Sequence, residues 1–192
     1  MARMPININT DARRRLAVSA YDWVSTLVVS LLVLVIAFTF FLRIIRVDGD
    51  SMDSTLRDGD QLLMITTVSE YRRGDIVVVD RYTIEPLVKR VIAVGGDTIK
   101  IDTNGLVYLN GDLLSEPYAA KFTPQKGCTE TVVIPNGYVF LLGDNRSVSL
   151  DSRSEEIGLV LEKDLVGKAV FRVSPISALG GIYYNMEQSM TN

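Results

Sequence analysis

The amino-acid sequence predicts a mainly β, antiparallel, barrel-like domain behind one N-terminal transmembrane helix. Three observations support this fold class. An uncharged apolar run near the N-terminus is long enough to span a bilayer. Beyond it, short runs rich in valine, isoleucine and tyrosine follow one another closely. Asn-Gly and Gly-Asp pairs separate these runs, which is typical of turns between antiparallel strands.

The apolar run comprises residues 24–42, VSTLVVSLLVLVIAFTFFL, and contains no charged side chain. As an α-helix it would extend about 28 Å, close to the hydrocarbon thickness of a membrane. Tyr21 and Trp23 lie at its start, where aromatic rings suit the membrane interface. No small-x-small cleavage pattern follows, so we interpret the run as an uncleaved signal anchor rather than a cleaved signal peptide. A buried helix of a soluble protein is the alternative, but one of this length without a polar stripe is uncommon.

The arginines on either side of the run predict its orientation. Four arginines lie within residues 1–23, and two follow the run, at Arg43 and Arg46. This excess favours a short cytoplasmic N-terminus and a single pass through the cytoplasmic membrane, with residues 43–192 outside. The lipid bilayer is therefore a predicted partner. From about residue 176 the chain holds two glycines and then polar residues, so we expect a loosely ordered tail.

The predicted strands lie between turn signals in the part of the chain after the anchor. They are residues 61–67, 75–81, 86–94, 98–101, 106–109, 131–134, 138–142 and 168–173. Residues 101–112, IDTNGLVYLNGD, predict a hairpin because an Asn-Gly pair separates two strand-like runs.

Composition excludes several classes of function. The net charge of −3 gives no electrostatic basis for nucleic-acid binding. Histidine is absent and Cys128 is the single cysteine, so the chain lacks the usual zinc ligands and cannot form an internal disulfide. No EF-hand spacing of carboxylates occurs. The composition therefore argues against a zinc site and leaves open a metal site formed by carboxylates alone.

The segment 49–56, GDSMDSTL, presents two serines and a threonine shortly after the anchor. A serine hydroxyl is unreactive at neutral pH unless a base takes its proton. With histidine absent, only carboxylates and lysines remain as bases. A lysine acts as a base only as the neutral amine, so burial in apolar surroundings must lower its pKa.

Lys89 is a candidate for this base because it lies in the otherwise apolar segment PLVKRVIAV. In a strand, Leu87, Lys89 and Val91 would share one face, and two aliphatic neighbours would favour desolvation of the lysine. The opposite face would carry Val88, Arg90 and Ile92. A surface lysine on an edge strand is the alternative that the pattern leaves open.

A third segment, residues 143–153, GDNRSVSLDSR, follows a predicted strand and concentrates Asp, Asn, Arg and Ser side chains. Such a composition is typical of a solvated turn. A loop of this kind can equally position catalytic groups through hydrogen bonds and ion pairs.

Taken in order, these segments resemble the sequence blocks of type I signal peptidases, specifically the single-span type of Gram-positive bacteria. GDSMDSTL is similar to Gly-x-Ser-Met-x-Pro-Thr-Leu, and RRGDIVVV to Arg-Gly-Asp-Ile-Val. KRVIAVGGD is similar to Lys-Arg-Val-Ile-Gly-x-Pro-Gly-Asp, and GDNRSVSLDSR matches Gly-Asp-Asn-Arg-x-x-Ser-x-Asp-Ser-Arg at each fixed position. DLVGKAVFRVSP resembles the closing strand block, so the resemblance extends from the anchor to about Pro175.

The resemblance implies a serine endopeptidase with a Ser–Lys dyad, which removes signal peptides from exported preproteins at the outer face of the cytoplasmic membrane. It implies Ser51 as the nucleophile that forms an acyl-enzyme, and Lys89 as the general base. The implied substrates are preproteins emerging from the secretion translocon, cut after small residues as in Ala-x-Ala. No cofactor is implied.

The resemblance also implies roles for residues around this pair. Ser149 matches a serine whose hydroxyl orients the lysine. Asp151 and Arg153 match a structural ion pair, with Arg90 as a third member. The backbone N–H of Ser51 would donate to the oxyanion, and Gly49 would supply the turn and a second backbone donor. The residues implied to line shallow pockets for small P1 and P3 side chains are Val47, Met52, Leu56 and Val88.

The sequence departs from the family blocks at three positions. Ser54 stands where the motif has proline, and Ala93 and Gly95 replace a glycine and a proline. Two alternatives therefore stay open. One is a catalytically weak, membrane-anchored homologue that binds export substrates or pilus components. The other is a specialised peptidase that processes pilus or conjugation proteins.

Overall fold

The computed structural model describes the backbone of residues 8–80, 86–119 and 122–178. Most of the predicted tail, residues 179–192, lies outside the described residues. The chain divides into two units, one ending at Phe41 and the other beginning at Leu42.

The first unit contains the helix α1 (Ile8–Phe40). Its segment Ser19–Phe40 has a mean hydropathy of 2.5, and its most apolar stretch has no residue buried inside the structure. A helix of this length and composition can cross a membrane, which supports membrane anchoring. The helix ends before the last two residues of the predicted span, because Phe41 forms a turn and Leu42 begins a strand. The apolar side chain of Leu42 hides this boundary in the sequence.

The second unit consists, in its described residues, of short strands and one 3-10 helix at Glu162–Asp164. The strands are β1 (Leu42–Arg46), β2 (Gln61–Ile65), β3 (Ile76–Val79), β4 (Leu87–Val94), β5 (Thr98–Ile101), β6 (Val107–Leu109), β7 (Asp112–Leu113), β8 (Val132–Val133), β9 (Tyr138–Leu142), β10 (Val160–Leu161), β11 (Leu165–Ser174) and β12 (Ser177–Ala178). Their pairings are antiparallel, which confirms the predicted fold class.

The strands form two sheets. The larger has the order β1-β2-β11-β3-β4-β9-β10, with β12 paired to β11, and the smaller has the order β7-β6-β5-β8. β3 and β4 lie in the middle of the larger sheet and are almost wholly buried. The continuous apolar run of β3, and the runs on either side of Lys89 and Arg90 in β4, are typical of strands covered on both faces. The candidate base is therefore carried by one of the most buried strands of the protein.

Each predicted strand corresponds to an observed strand, with ends that differ by a few residues. β1 was not predicted, because its sequence LRIIR continues the apolar run of the anchor. β7, β10 and β12 have two residues each, which is too short to produce a periodic pattern.

The predicted hairpin is formed by β5 and β6. Ile101 pairs with Val107, and Asp102 Oδ1 accepts a hydrogen bond from the Leu106 N–H at 2.7 Å. Gly105 adopts a φ of 74°, a conformation in which glycine avoids the steric cost of a side chain. The Asn-Gly signal therefore located this turn correctly.

An apolar cluster fixes the segment that carries Ser51 to the larger sheet. Met52 and Leu56 are fully buried. They pack in a cluster whose members are Val47, Met52, Leu56, Leu62, Met64, Ile76, Val78, Val88 and Ala169. Burial of an apolar side chain of this size contributes roughly 1.5–3 kcal/mol, so the residues that follow Ser51 are firmly held.

Candidate active site

Ser51 and Lys89 lie side by side although they are 38 positions apart in the sequence. Lys89 Nζ donates to Ser51 Oγ at 2.7 Å and to the carbonyl of Val88 at 3.1 Å. Lys89 is only 3% exposed, whereas Ser51 is partly exposed. The hydroxyl is thus open to an incoming molecule, and the amine beside it is shielded from water.

Burial determines the titration of Lys89. Desolvation lowers the pKa of its amine from 10.5 to about 8, against the opposing charges of Asp151 and Asp144. Within the described chain, its hydrogen-bond acceptors are a hydroxyl and a carbonyl, and neither carries a negative charge. A large share of the lysine is therefore the neutral amine near pH 8, which is the form that can accept a proton.

The faces of β4 agree with strand alternation around Lys89. Leu87 and Val91 pack in one apolar cluster, and Val88 packs in another. Ile92, which alternation assigned to the face of Val88, packs in a third cluster because the register shifts between Val91 and Ala93. The alternation rule holds up to this bulge and fails beyond it.

The backbone N–H of Ser51 is free to donate. The Ser51 N–H has no acceptor among the described residues, so it is available to a negatively charged oxygen of a bound molecule. Gly49, with a φ of 81°, donates its N–H to Asp58 Oδ1 at 3.0 Å instead. The second backbone donor that the resemblance implied at Gly49 is thus occupied by an aspartate across the turn.

The loop after β9 holds the segment that carries Ser51. The N–H of Asn145 donates to the carbonyl of Ser51, and its side-chain amide donates to the carbonyl of Asp50, both at 3.1 Å. Thr55 Oγ1 donates to Asp144 Oδ2 at 2.5 Å. Three hydrogen bonds therefore join two segments that are far apart in the sequence. Thr55 is 89 positions from Asp144, and Asp50 is 95 positions from Asn145.

Arg90 forms a buried ion pair on β4. Its guanidinium donates to both oxygens of Asp144, at 2.8 and 2.6 Å, and neither side chain is exposed. It also donates to the carbonyl of Gly74 and lies over the ring of Tyr118, 4.0 Å from the ring centre. The resemblance implied Arg90 as a third member of the Asp151–Arg153 pair. The structure gives it the carboxylate of Asp144, because alternation turns Arg90 away from the face of Lys89.

Asp151 and Arg153 form a second buried ion pair. Arg153 donates to the two carboxylate oxygens at 2.7 Å each, and both side chains are fully buried. Burial alone would raise the pKa of Asp151, but the hydrogen bonds and charge of Arg153 hold it below its usual value. The aspartate therefore stays charged, and Asp151 Oδ2 accepts the N–H of Gly143 at 3.1 Å.

Ser149 is fully buried beside this loop. Its Oγ makes no well-formed hydrogen bond in the described chain, although the hydroxyl is close enough to Asp151 to help lower the pKa of that carboxyl. The hydrogen bonds of Lys89 go to Ser51 and Val88. The orienting role that the resemblance gives Ser149 therefore stays a prediction. A side chain at Gly143 would place its Cβ 2.2 Å from Ser149 Oγ and 2.4 Å from the Ser51 carbonyl, so only glycine fits there.

A cavity of about 680 Å³ opens beside the strand that carries Lys89. Its lining is mixed: charged residues such as Arg43 and Asp80 contribute to it, together with the apolar residues Ile45, Met64, Val78, Pro86, Val88 and Val166. Of the residues predicted to form substrate pockets, Val88 lines this cavity. The other three, Val47, Met52 and Leu56, pack in the same apolar cluster as Val88.

Sequence reasoning missed several charged residues of the site. Asp144 and Arg146 lie inside the GDNRSVSLDSR segment. They were missed because the composition of this segment is equally typical of a solvated turn. Both are buried, at 1% and 0% exposure. Their partners Arg90 and Glu116 are 54 and 30 positions away, so no local spacing signals either pair.

A profile of the family described as "Signal peptidase, peptidase S26" matches residues 20–174. Signal peptidase I of Bacillus amyloliquefaciens is 35% identical over 169 residues, covering 82% of this chain and 90% of that protein. Signal peptidase I T of Bacillus subtilis (strain 168) is 32% identical over 186 residues, covering 90% and 95%. The crystal structure of a signal peptidase I from Enterococcus faecalis V583 is 27% identical with a TM-score of 0.45, covering 53% of this chain and 98% of that one.

The family profile and the two Bacillus relatives define the protein as a peptidase, a hydrolase of peptide bonds. The chain belongs to the signal peptidase family, peptidase S26, among the type I signal peptidases, and its relatives are consistent with the Gram-positive type.

Proposed function

We propose that the chain is a membrane-bound serine endopeptidase that removes N-terminal signal peptides from exported preproteins through a Ser51–Lys89 dyad. The observation that carries this proposal is the contact of 2.7 Å between Ser51 Oγ and the buried amine of Lys89. A partly exposed hydroxyl beside a lysine with a lowered pKa is the arrangement that nucleophilic catalysis without histidine requires.

The reaction begins with the neutral amine of Lys89. The amine accepts the proton of Ser51 as Oγ attacks the carbonyl carbon of the scissile peptide bond. The Ser51 N–H donates to the oxyanion that forms. Protonated Lys89 then gives its proton to the leaving amine, the peptide bond breaks, and Ser51 carries the acyl group. The same amine takes a proton from water, whose oxygen attacks the acyl carbon and frees Ser51.

Substrate recognition is proposed to use an extended peptide. In a strand-like peptide, the first and third residues before the cleaved bond point to the same face. The cavity beside Val88, and the cluster that includes Val47, Met52 and Leu56, would receive these side chains. The resemblance to type I signal peptidases implies small side chains at both positions, so we propose cleavage after an Ala-x-Ala-like site.

The remaining predicted residues are proposed to support the dyad. The Asp151–Arg153 and Arg90–Asp144 pairs hold the loop and the strand on either side of Lys89. Ser149 is proposed to contact the lysine once substrate is bound, because its buried hydroxyl makes no well-formed hydrogen bond in the described chain.

The topology follows from the same proposal. Residues 24–42 anchor the protein in the cytoplasmic membrane, residues 1–23 lie in the cytoplasm, and residues 43–192 lie outside. A signal peptide reaches this face only after export, so the substrates are preproteins emerging from the translocon.

The test is cleavage of a secretory preprotein by the purified full chain in detergent. The parent is compared with Ser51→Ala and Lys89→Ala, and with Lys100→Ala as a control for loss of an exposed lysine. We expect the parent and the control to cut after a small-x-small site and the two dyad variants to be inactive.

Other results favour the alternatives. Cleavage of pilus or conjugation precursors alone would identify a specialised peptidase. Binding of preproteins without cleavage, by folded parent protein on several substrates, would identify a membrane-anchored binding homologue.

A further inference from the structure

A segment outside the predicted site reaches into the catalytic region. Residues 115–119, named here the clamp segment, lie between β7 and β8 of the smaller sheet. The side chain of Glu116, the ring of Tyr118 and the carbonyl of Tyr118 each contact an element of the site.

Glu116 provides the counter-charge for a buried arginine. Arg146 donates to the two oxygens of Glu116 at 2.9 and 2.5 Å, and Arg146 is fully buried while Glu116 is 10% exposed. Arg146 also donates to Thr123 Oγ1 at 2.8 Å and to the carbonyl of Gly143 at 3.0 Å. Without Glu116, the hydrogen-bond partners of the Arg146 guanidinium in the described chain would all be neutral groups.

Gly143, the residue whose carbonyl Arg146 holds, lies against the catalytic groups. Its N–H donates to Asp151, and its Cα packs so closely on Ser149 and the Ser51 carbonyl that no side chain fits. The position of this backbone therefore sets where Ser51 and Ser149 lie relative to each other.

Tyr118 extends the same clamp to the other two catalytic elements. Its ring covers the guanidinium of Arg90 on β4, and its hydroxyl donates to Glu116 at 3.0 Å. Its carbonyl accepts a hydrogen bond from Ser54 Oγ at 3.2 Å, in the segment that carries Ser51. The nucleophile turn, the base strand and the loop after β9 therefore meet on one short segment.

We propose that Glu116 is a positioning residue for the Ser51–Lys89 dyad. Its carboxylate fixes Arg146, Arg146 fixes the Gly143 carbonyl, and the Gly143 backbone sets the separation between the nucleophile and the loop beside Lys89. This inference rests on the proposed function, since it assumes that Ser51 and Lys89 react. Loss of the counter-charge moves the loop, and a shift of about 1 Å at a reacting group can lower a rate about a hundredfold.

The test compares Glu116→Gln with Asp97→Asn in the full chain in detergent. Asp97 is a matched control because it is also a buried carboxylate paired with an arginine, Arg73, but it lies in the turn between β4 and β5. The readouts are kcat and KM on a preprotein, stability to urea, and the rate at which an activated ester acylates Ser51, followed by mass spectrometry.

We expect Glu116→Gln to lower kcat and the acylation rate at least about tenfold, with KM changed less than about twofold. Asp97→Asn should leave kcat and the acylation rate unchanged, although it should lower the stability to urea by a similar amount. Glu116→Asp, which retains the charge, should recover part of kcat. If Glu116→Gln does not fold, Thr123→Val removes a neutral partner of Arg146 and should show a smaller fall in kcat.

Equal rate losses in Glu116→Gln and Asp97→Asn at equal stability would overturn the proposal, because Glu116 would then act on folding alone. The acylation assay separates this failure from that of the proposed function. Parent protein that acylates but cuts no preprotein refutes the proposed substrate, while the acylation rates still decide the role of Glu116. Parent protein that does neither refutes both.

Discussion

Lys89 and Arg90 are neighbours on β4 and are almost equally buried, at 3% and 0% exposure, but their surroundings differ. Arg90 faces the carboxylate of Asp144 at 2.6 and 2.8 Å. Lys89 faces the hydroxyl of Ser51 and a backbone carbonyl. One face of the strand therefore pairs its cation with an anion, and the other face leaves its cation without one.

The difference explains why two basic residues on one strand have different uses. A guanidinium keeps its charge in proteins, so a buried arginine requires a counter-charge and is suited to holding Asp144 in place. An ammonium can lose its proton, so burial without a directly bonded carboxylate lowers the pKa of Lys89 to about 8 and produces a base. Reactivity lies on the unpaired face and structural support on the paired face.

The largest expected effect comes from breaking the paired face. Arg90→Met leaves the buried carboxylate of Asp144 without its cation, which should lower the free energy of unfolding by about 3–5 kcal/mol. Urea unfolding of the full chain in detergent, followed by tyrosine fluorescence, measures this loss. Adding Asp144→Leu should recover part of it, because no buried charge then remains unpaired. A loss below about 1 kcal/mol for Arg90→Met would show that the pair is solvated.

The second prediction concerns the unpaired face and its pH dependence. Only the neutral amine of Lys89 accepts a proton, so kcat/KM should rise about tenfold per pH unit below pH 8 and level off above it. Initial rates of preprotein cleavage between about pH 6 and pH 10 measure this profile. Circular dichroism over the same range controls for unfolding. A profile that is flat across this range contradicts the role of Lys89 as the base.

The third prediction is that the unpaired lysine reduces stability. Below about pH 8, Lys89 is protonated in both the folded and the unfolded state, so the folded state bears the full cost of burying the charge. Lys89→Met should therefore raise the free energy of unfolding by about 1–3 kcal/mol at pH 7. Above pH 8 the folded lysine is neutral, and the cost of burying it falls as the pH approaches 10.5, where the unfolded lysine is neutral too. The stability gained by Lys89→Met should therefore vanish over this range. Thermal unfolding of both proteins at pH 7 and at high pH measures the change, and an equal gain at both would refute this account.

The smallest expected effect is at Ser54, which is exposed and donates to the Tyr118 carbonyl at 3.2 Å. Water can replace this bond, so Ser54→Ala should lower stability by only about 0.5–1 kcal/mol and leave Ser51 active. Urea unfolding and preprotein cleavage measure both quantities. Complete loss of cleavage in a folded Ser54→Ala protein would instead assign the nucleophile to Ser54.

Much of the candidate site could be predicted because its signals are local. Alternation along PLVKRVIAV separated Lys89 from Arg90, and the absence of histidine directed attention to a lysine. The partner of Arg90 could not be predicted, since a sequence contains many carboxylates and Asp144 is 54 positions away. Glu116 was missed for the same reason, because its arginine lies on a loop 30 positions further along the chain.

The sequence by itself determined the apolar helix, the strands with their turns, and the residue types available for chemistry. These features depend on neighbouring residues, through side-chain periodicity and the conformations of glycine. Only the tertiary structure decided which groups come into contact and how far they are shielded from water. The pKa of Lys89 depends on atoms brought from distant segments, since desolvation is a property of the packed surroundings and not of the nearby sequence.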